Sequence, residues 1–185
     1  MIKKTIQKQF SIFPNSRGVT LVEVLVTVFL FTILMGVSLE LLLTGLDSFS
    51  VNRNRTELQQ ELRKSIDWIK EDLRQTGSAG VTNVLANGTT YTTIIFRTAT
   101  GAVAGGTITW SADTVQYLLG GTGGVQLQRI SGATTKVIAQ NITTLQFKRD
   151  AASPSVVTVT ITASRNQVKG GTISLSYNFK VKMRN

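Results

Sequence analysis

Residues 19–46 read VTLVEVLVTVFLFTILMGVSLELLLTGL, an apolar run that no soluble domain in a chain of 185 residues would need as a block. As an α-helix it would extend about 42 Å, against about 30 Å for the hydrocarbon core of a bilayer. An ordinary secretory signal has an apolar stretch of about 7–15 residues followed by a small-x-small cleavage site. This run is far longer, and it carries a carboxylate, Glu23, five residues past Gly18. An ionisable group inside an apolar span is costly and marks function, because a plain anchor has no use for it. Lys3, Lys4, Lys8 and Arg17 precede the run. The positive-inside rule therefore predicts a cytoplasmic N-terminus, a single membrane pass and a C-terminal domain outside.

The stretch Gly18-Val19-Thr20-Leu21-Val22-Glu23-Val24-Leu25 resembles the type IV prepilin cleavage and methylation signature. The resemblance implies that residues 1–18 are a leader which a prepilin peptidase removes on the cytoplasmic side, after Gly18. It implies N-methylation of the new terminus, Val19, and a role in filament assembly for Glu23, fifth in the processed chain. Glycine before the cut lets the peptidase approach the backbone closely. Cutting leaves an α-ammonium that stays charged after methylation. In a low-dielectric bilayer that cation and the Glu23 carboxylate each need a partner. Glu23 can meet the terminus of a neighbouring subunit or its own Val19 one turn away. The family favours phenylalanine where this chain has Val19. Major pilins also carry a proline in the second half of the membrane segment, where this chain has Gly36, Glu40 and Gly45. The missing proline suits a minor subunit.

From Leu46 to Thr76 there is neither Gly nor Pro. Leu58, Leu62, Ile66, Ile69 and Leu73 recur three or four residues apart, one apolar stripe of a helix. The spacing predicts an amphipathic helix over 47–77, closed by Gly77 as a C-cap. Glu61/Lys64 is expected to pair on its wet face, and Asp72 and Arg74 to be surface charges. The run 62–77, Asp67-Trp68-Ile69 and Asp72-Leu73-Arg74 ahead of Gly77, is similar to the helix of PilW-type minor pilins and of J-type minor pseudopilins of type II secretion. Helical throughout, residues 19–76 would be about 87 Å long, a half-membrane, half-amphipathic spine that resembles the pilin architecture.

Residues 78–185 form the third region, a β-rich globular domain. Val157, Val159 and Ile161 alternate with threonines. Ile173, Leu175, Tyr177, Phe179, Val181 and Met183 alternate with polar residues. Both patterns predict half-buried strands. Weaker strands are expected at about 91–97, 107–111, 113–119, 124–130, 135–139 and 142–149, with turns at 105–106, 120–124 and 170–171. Gly120–Gly124 has no Lys-Ser/Thr after it and no helix to open, so it reads as a hairpin turn and not a phosphate loop. The expected fold is α+β: a long N-terminal α-helix, transmembrane then amphipathic, packed on a C-terminal antiparallel β-sheet in the pilin manner.

The chain has no cysteine and no histidine, and only ten acidic residues against twenty basic ones. Thiolate chemistry, the commonest general base and the commonest metal ligand are therefore missing. Asp113 and Asp150 are too few for a calcium site. We expect no enzyme activity, no cofactor and no metal. From Arg97 onward ten basic residues face two acidic ones, so an anionic partner such as DNA is a secondary expectation. The expected function is a minor pilin or pseudopilin that primes or joins a type IV pilus or sits at its tip. A type II secretion pseudopilin and a membrane-anchored binding protein for DNA or surfaces are the alternatives. The expected partners are the prepilin peptidase, sister pilin or pseudopilin subunits, an inner-membrane assembly platform and lipid. The expected location is the inner membrane, with the C-terminal domain periplasmic or further out.

Overall fold

The computed structural model describes residues 18–102, 108–167 and 170–184. The leader up to Arg17, the turn at 105–106 and the last residue lie outside the described residues. One helix, α1 (Leu21–Arg74), runs without a break through the apolar run and the amphipathic stripe. It is the one described helix long and apolar enough to cross a membrane. Its contacts divide it between two compact units, parted at Ser48/Phe49.

In the N-terminal unit, every apolar side chain from Val19 to Leu46 is between 49 % and 80 % exposed. Three threonine hydroxyls in this stretch donate to their own helix. Thr27 donates to the Glu23 carbonyl at 2.6 Å, Thr32 to Phe29 at 2.7 Å and Thr44 to Glu40 at 2.9 Å. Such bonds leave those hydroxyls with no need of water, as a helix in lipid requires.

In the C-terminal unit, the stripe behaves as its spacing predicts: Leu58, Leu62, Ile66, Ile69 and Leu73 are all buried. The partners are two four-stranded antiparallel sheets where the sequence suggested one. The first is a meander of β2 (Ile94–Ala102), β3 (Ile108–Gly120), β4 (Gln126–Ser131) and β5 (Thr134–Ala139). The second has the order β1-β6-β7-β8, from β1 (Thr90–Tyr91), β6 (Ile142–Asp150), β7 (Ser153–Asn166) and β8 (Thr172–Lys182). Phe96, Val115, Tyr117 and Leu127 of the first sheet join Leu145, Phe147, Val157, Val159 and Ile161 of the second, with the stripe, in one core.

The strands expected at 107–111 and 113–119 are one strand, β3, which continues through Asp113 with a break in register, since Arg97 pairs with Thr114 while Ala99 pairs with Trp110. That at 91–97 is two, because Tyr91 pairs with Phe147 while Ile94 pairs with Tyr117 in the other sheet. Gly120–Gly124 is a hairpin turn between β3 and β4, with Gly120 opposite Gln126. It needs glycine, since Gly121, Gly123 and Gly124 all have φ near +70°. On β7 the inward set Val157, Val159, Ile161 is buried. On the edge strand β8 only Phe179 and Val181 are fully covered, while Tyr177 is 51 % exposed.

Candidate functional site

The candidate processing and assembly residues stand where α1 begins. Gly18, Val19 and Thr20 precede the first helical turn and are exposed. Thr20 is the N-cap: its hydroxyl accepts from the Glu23 backbone N–H at 3.3 Å. Thr20-x-x-Glu23 is thus the first half of a capping box, which satisfies one of the four orphan donors of a helix start. Sequence reasoning passed over Thr20, although the Thr-x-x-Glu spacing carries that signal. The capping bond uses the backbone of Glu23, and its carboxylate lies in the first turn, where the helix dipole favours negative charge. Gly18 has no heavy atom within 4 Å of where a Cβ would be. Among the described residues, nothing packs where its side chain would be.

The second cluster holds α1 to the first sheet. Asp72 is buried, contrary to the surface role its charge suggested. Its Oδ2 accepts from the Tyr117 hydroxyl at 2.6 Å and from Arg129 Nε at 2.6 Å. Position 72 lies three past Ile69 and four past Trp68, so it falls on the inward stripe, and burial there demands a charged partner. Burial, then the hydrogen bond to Asp72, pushes the Tyr117 hydroxyl well above its ordinary range. The same carboxylate holds Arg129 further into its charged form. Arg129 and Lys136 both stand over the Trp68 ring, at 5.8 and 4.3 Å.

Glu61, expected to meet Lys64, instead accepts from the Gln140 backbone N–H at 3.0 Å, at the corner between β5 and β6. An orphan donor there outcompetes a solvated ammonium. Glu57 takes Arg165 of β7 and Arg53 of its own helix, and the Arg165 bond holds its carboxyl below the ordinary value.

Gly77 is no left-handed C-cap. Its φ of −113° and ψ of 171° are extended, and it bridges Arg184. Glycine is needed for room: a Cβ would stand 2.8 Å from Trp110 Cη2 and 2.9 Å from the Arg184 carbonyl. Arg149 is buried without a carboxylate. Its guanidinium donates to the carbonyls of Val84 at 2.9 Å and Pro154 at 2.7 Å, and to the Ser78 hydroxyl at 2.7 Å. Burial lowers its pKa from the ordinary arginine value. It shares the inward parity of Leu145 and Phe147 on β6, the signal that marks it.

Residues 13–39 match a family model described as the prokaryotic N-terminal methylation motif. The matched stretch contains Gly18, Val19 and Glu23 and runs into the apolar half of α1. The N-terminal segment thus carries a prokaryotic N-terminal methylation motif, which supports a type IV pilin-like, prepilin-type reading of residues 13–39. With the one helix among the described residues that is long and apolar enough to cross a membrane, it fits a membrane-anchored, single-pass protein. No curated protein and no solved structure matches the chain.

Proposed function

We propose that this chain is a minor pilin or pseudopilin, a non-catalytic subunit cut after Gly18, N-methylated on Val19 and drawn into a filament through Glu23. The observation that carries the reading is the pairing of the methylation motif at 13–39 with a half-helix whose apolar side chains are all exposed. Such a surface is stable only in lipid or against the helices of like subunits. Val19, N-terminal to the capped turn, becomes a cation on cleavage, four residues from the Glu23 carboxylate. A charge pair in a bilayer is favourable only when both members are matched. An incoming subunit can supply the match, so Glu23 selects for docking at the growing base.

The domain organisation follows from this: leader 1–18, membrane and assembly helix 19–46, amphipathic helix 47–77 and β-domain 78–185. The N-terminus begins in the cytoplasm and the β-domain faces outward, as the leader lysines direct. The absence of proline from 19–46 favours a minor position over the major subunit. Between pilus and type II secretion system the similarity of residues 62–77 to both PilW-type and J-type helices supports either.

The test is incorporation. Glu23→Gln keeps the size and the hydrogen-bonding of the side chain and removes its charge. The variant is expected in the membrane, processed, and lost from sheared filaments or from complexes pulled down with sister subunits. Incorporation at the unaltered level would defeat the assembly role and leave a membrane-anchored binding protein as the better reading.

A further inference from the structure

β8 is the outermost strand of the second sheet, and its pairing with β7 runs unbroken from Thr172↔Asn166 to Lys182↔Val156. Just past its end the Met183 N–H donates to the Ser155 carbonyl at 2.8 Å. Residues of an antiparallel ladder alternate in the side to which their main-chain groups point. The odd residues of β8 therefore turn theirs to β7, and the even ones, from Thr172 to Lys182, turn theirs outward. Arg184 follows the same parity, and its outward N–H is taken by the Thr76 carbonyl at 2.8 Å. Among the described residues no main-chain group meets the outward N–H and C=O groups between Thr172 and Lys182.

The other sheet edges are covered or blunted. Along β2 the Ile95 carbonyl accepts from the Thr82 N–H at 2.9 Å, and the Ile95 N–H donates to Asn83 Oδ1 at 2.6 Å. The Ala99 N–H donates to the Gln75 carbonyl at 2.9 Å. β6 is covered by β1 and by Gly88, whose N–H donates to the Arg149 carbonyl at 2.8 Å. β5 is open, but it is short (Thr134–Ala139) and carries the exposed Lys136 in its middle. Shortness and a lysine are ways in which an edge resists pairing. On β8 the charges, Lys180 and Lys182, are gathered at one end, and the strand from Thr172 to Asn178 has none.

Beside that uncharged stretch lies a groove. α1 runs along β8 in the same direction: Leu62 and Leu175 line one groove, Lys70 Nζ stands 5.1 Å over the Phe179 ring, and Thr76 meets Arg184. The groove has a volume of about 520 Å³ and is lined by Leu62, Ile66, Leu175 and Tyr177, with Arg63 and Asp67. Tyr177 is exposed and Leu175 half-buried. An unpaired main chain and an unfilled, partly apolar groove thus coincide at Leu175–Tyr177.

We infer that the Thr172–Asn178 edge takes up an extended segment of a different protein chain, with apolar residues at alternate positions, as an added antiparallel strand. Main-chain bonds to Ser174, Ser176 and Asn178 hold the segment, and its inward side chains enter the groove against Leu62 and Ile66. Lipid cannot take this place, because only an extended main chain offers donors and acceptors in alternation. A second copy of β8 fits poorly on two counts. Paired antiparallel, its two-fold axis stands perpendicular to the sheet and reverses the copy's α1, whereas chains anchored in one membrane point their helices alike. Paired parallel, the copy turns its other face, and Ser174, Ser176 and Asn178 meet the groove in place of apolar side chains. The first count rests on the membrane-anchored reading. The edge and the groove do not.

The test uses the full chain in phosphatidylcholine nanodiscs and a fluorescein-labelled octapeptide in which valine alternates with threonine, with a lysine added at each end. Binding is expected in fluorescence anisotropy. Hydrogen exchange should then slow at the Ser174, Ser176 and Asn178 amides, while the odd residues are protected with or without peptide. In the added strand the threonines lie opposite the even residues, so N-methylation of the threonine amides should weaken binding about ten-fold or more. N-methylation of the valine amides, on the far edge, should leave it. Ser176→Pro removes an outward N–H and no bond to β7, a position at which an edge strand accepts proline. It should abolish binding and keep the thermal melt of the domain. Tyr177→Lys sets a charge in the groove without altering the main chain, and should also abolish binding. Val137→Lys, on the β5 edge, should leave the binding curve as it was. The inference is overturned by absence of binding at about 1 mM peptide. It is equally overturned if the threonine-methylated peptide binds as well, or if Val137→Lys costs as much as the β8 variants. A dimer in native mass spectrometry of the nanodiscs that Ser176→Pro dissolves would overturn it too, by giving the edge to a second copy. Each of these failures leaves cleavage after Gly18 and the pilin reading untouched.

Discussion

The two halves of α1 share one backbone and opposite burial. Before Leu46 every apolar side chain is exposed, and after it the stripe from Leu58 to Leu73 is covered by two sheets. The first half is apolar on all sides and, among the described residues, has no partner within its own chain. The second has a narrow apolar face and a full complement of partners. One helix can therefore do two jobs. The half with no internal partner is free to pack on lipid and on other subunits, and the half with partners anchors a domain that does not need them.

Substitutions that are equal on paper should separate the two halves. Leu73→Ala opens a cavity at a fully buried position and should cost the β-domain about 2–5 kcal/mol. Leu34→Ala, in the exposed half, should leave the melting of the domain in place. A similar loss from both, in thermal denaturation followed by near-ultraviolet circular dichroism, would break the division.

Asp72→Asn should come next, at about 2–4 kcal/mol, because it leaves the Arg129 guanidinium largely buried without its counter-charge. The side chain of Arg129 keeps 20 % of its exposure, which holds the cost below that of a sealed pair. Replacing the cluster together, with Asp72→Leu, Tyr117→Phe and Arg129→Met, should restore much of the loss. A loss under about 0.5 kcal/mol for Asp72→Asn in urea unfolding would return Asp72 to a surface charge.

Gly77→Ala should cost about 1–3 kcal/mol by overpacking, with no backbone penalty, since its φ suits any residue. The sharper reading is Trp110 fluorescence, which should shift as the ring is pushed aside. Smallest is Glu57→Gln, a half-exposed site. The folded-state pKa of Glu57 lies below its ordinary value, so its contribution is present above the unfolded pKa and fades as pH falls through the folded one. Wild type and Glu57→Gln should therefore differ most near neutral pH and converge in acid.

The sequence shows these regions to different depths, for physical reasons. Helical periodicity is local, so the five-residue stripe could be read from spacing and is buried in full. The alternation on β7 is equally local and holds. Which strands pair is a long-range matter: nothing near Tyr91 says that it belongs with Phe147, while Ile94 three residues on belongs with Tyr117. The division into two sheets was therefore not legible. Asp72 and Arg149 were read by residue type when their inward register should have ruled. Gly77 was read as a conformational glycine, and its reason is a tryptophan ring 33 positions away. At the helix start the Gly18–Glu23 spacing carries the resemblance to the prepilin signature from which the cleavage and assembly roles of Gly18, Val19 and Glu23 are proposed. The same spacing held the Thr20 cap, which the functional resemblance obscured.

The measurement that bears most directly on the account is the intact mass of the protein from cells that carry a prepilin peptidase. A chain beginning at N-methyl-Val19, with residues 1–18 gone, is the expected result. A chain that retains residues 1–18 under those conditions would contradict it.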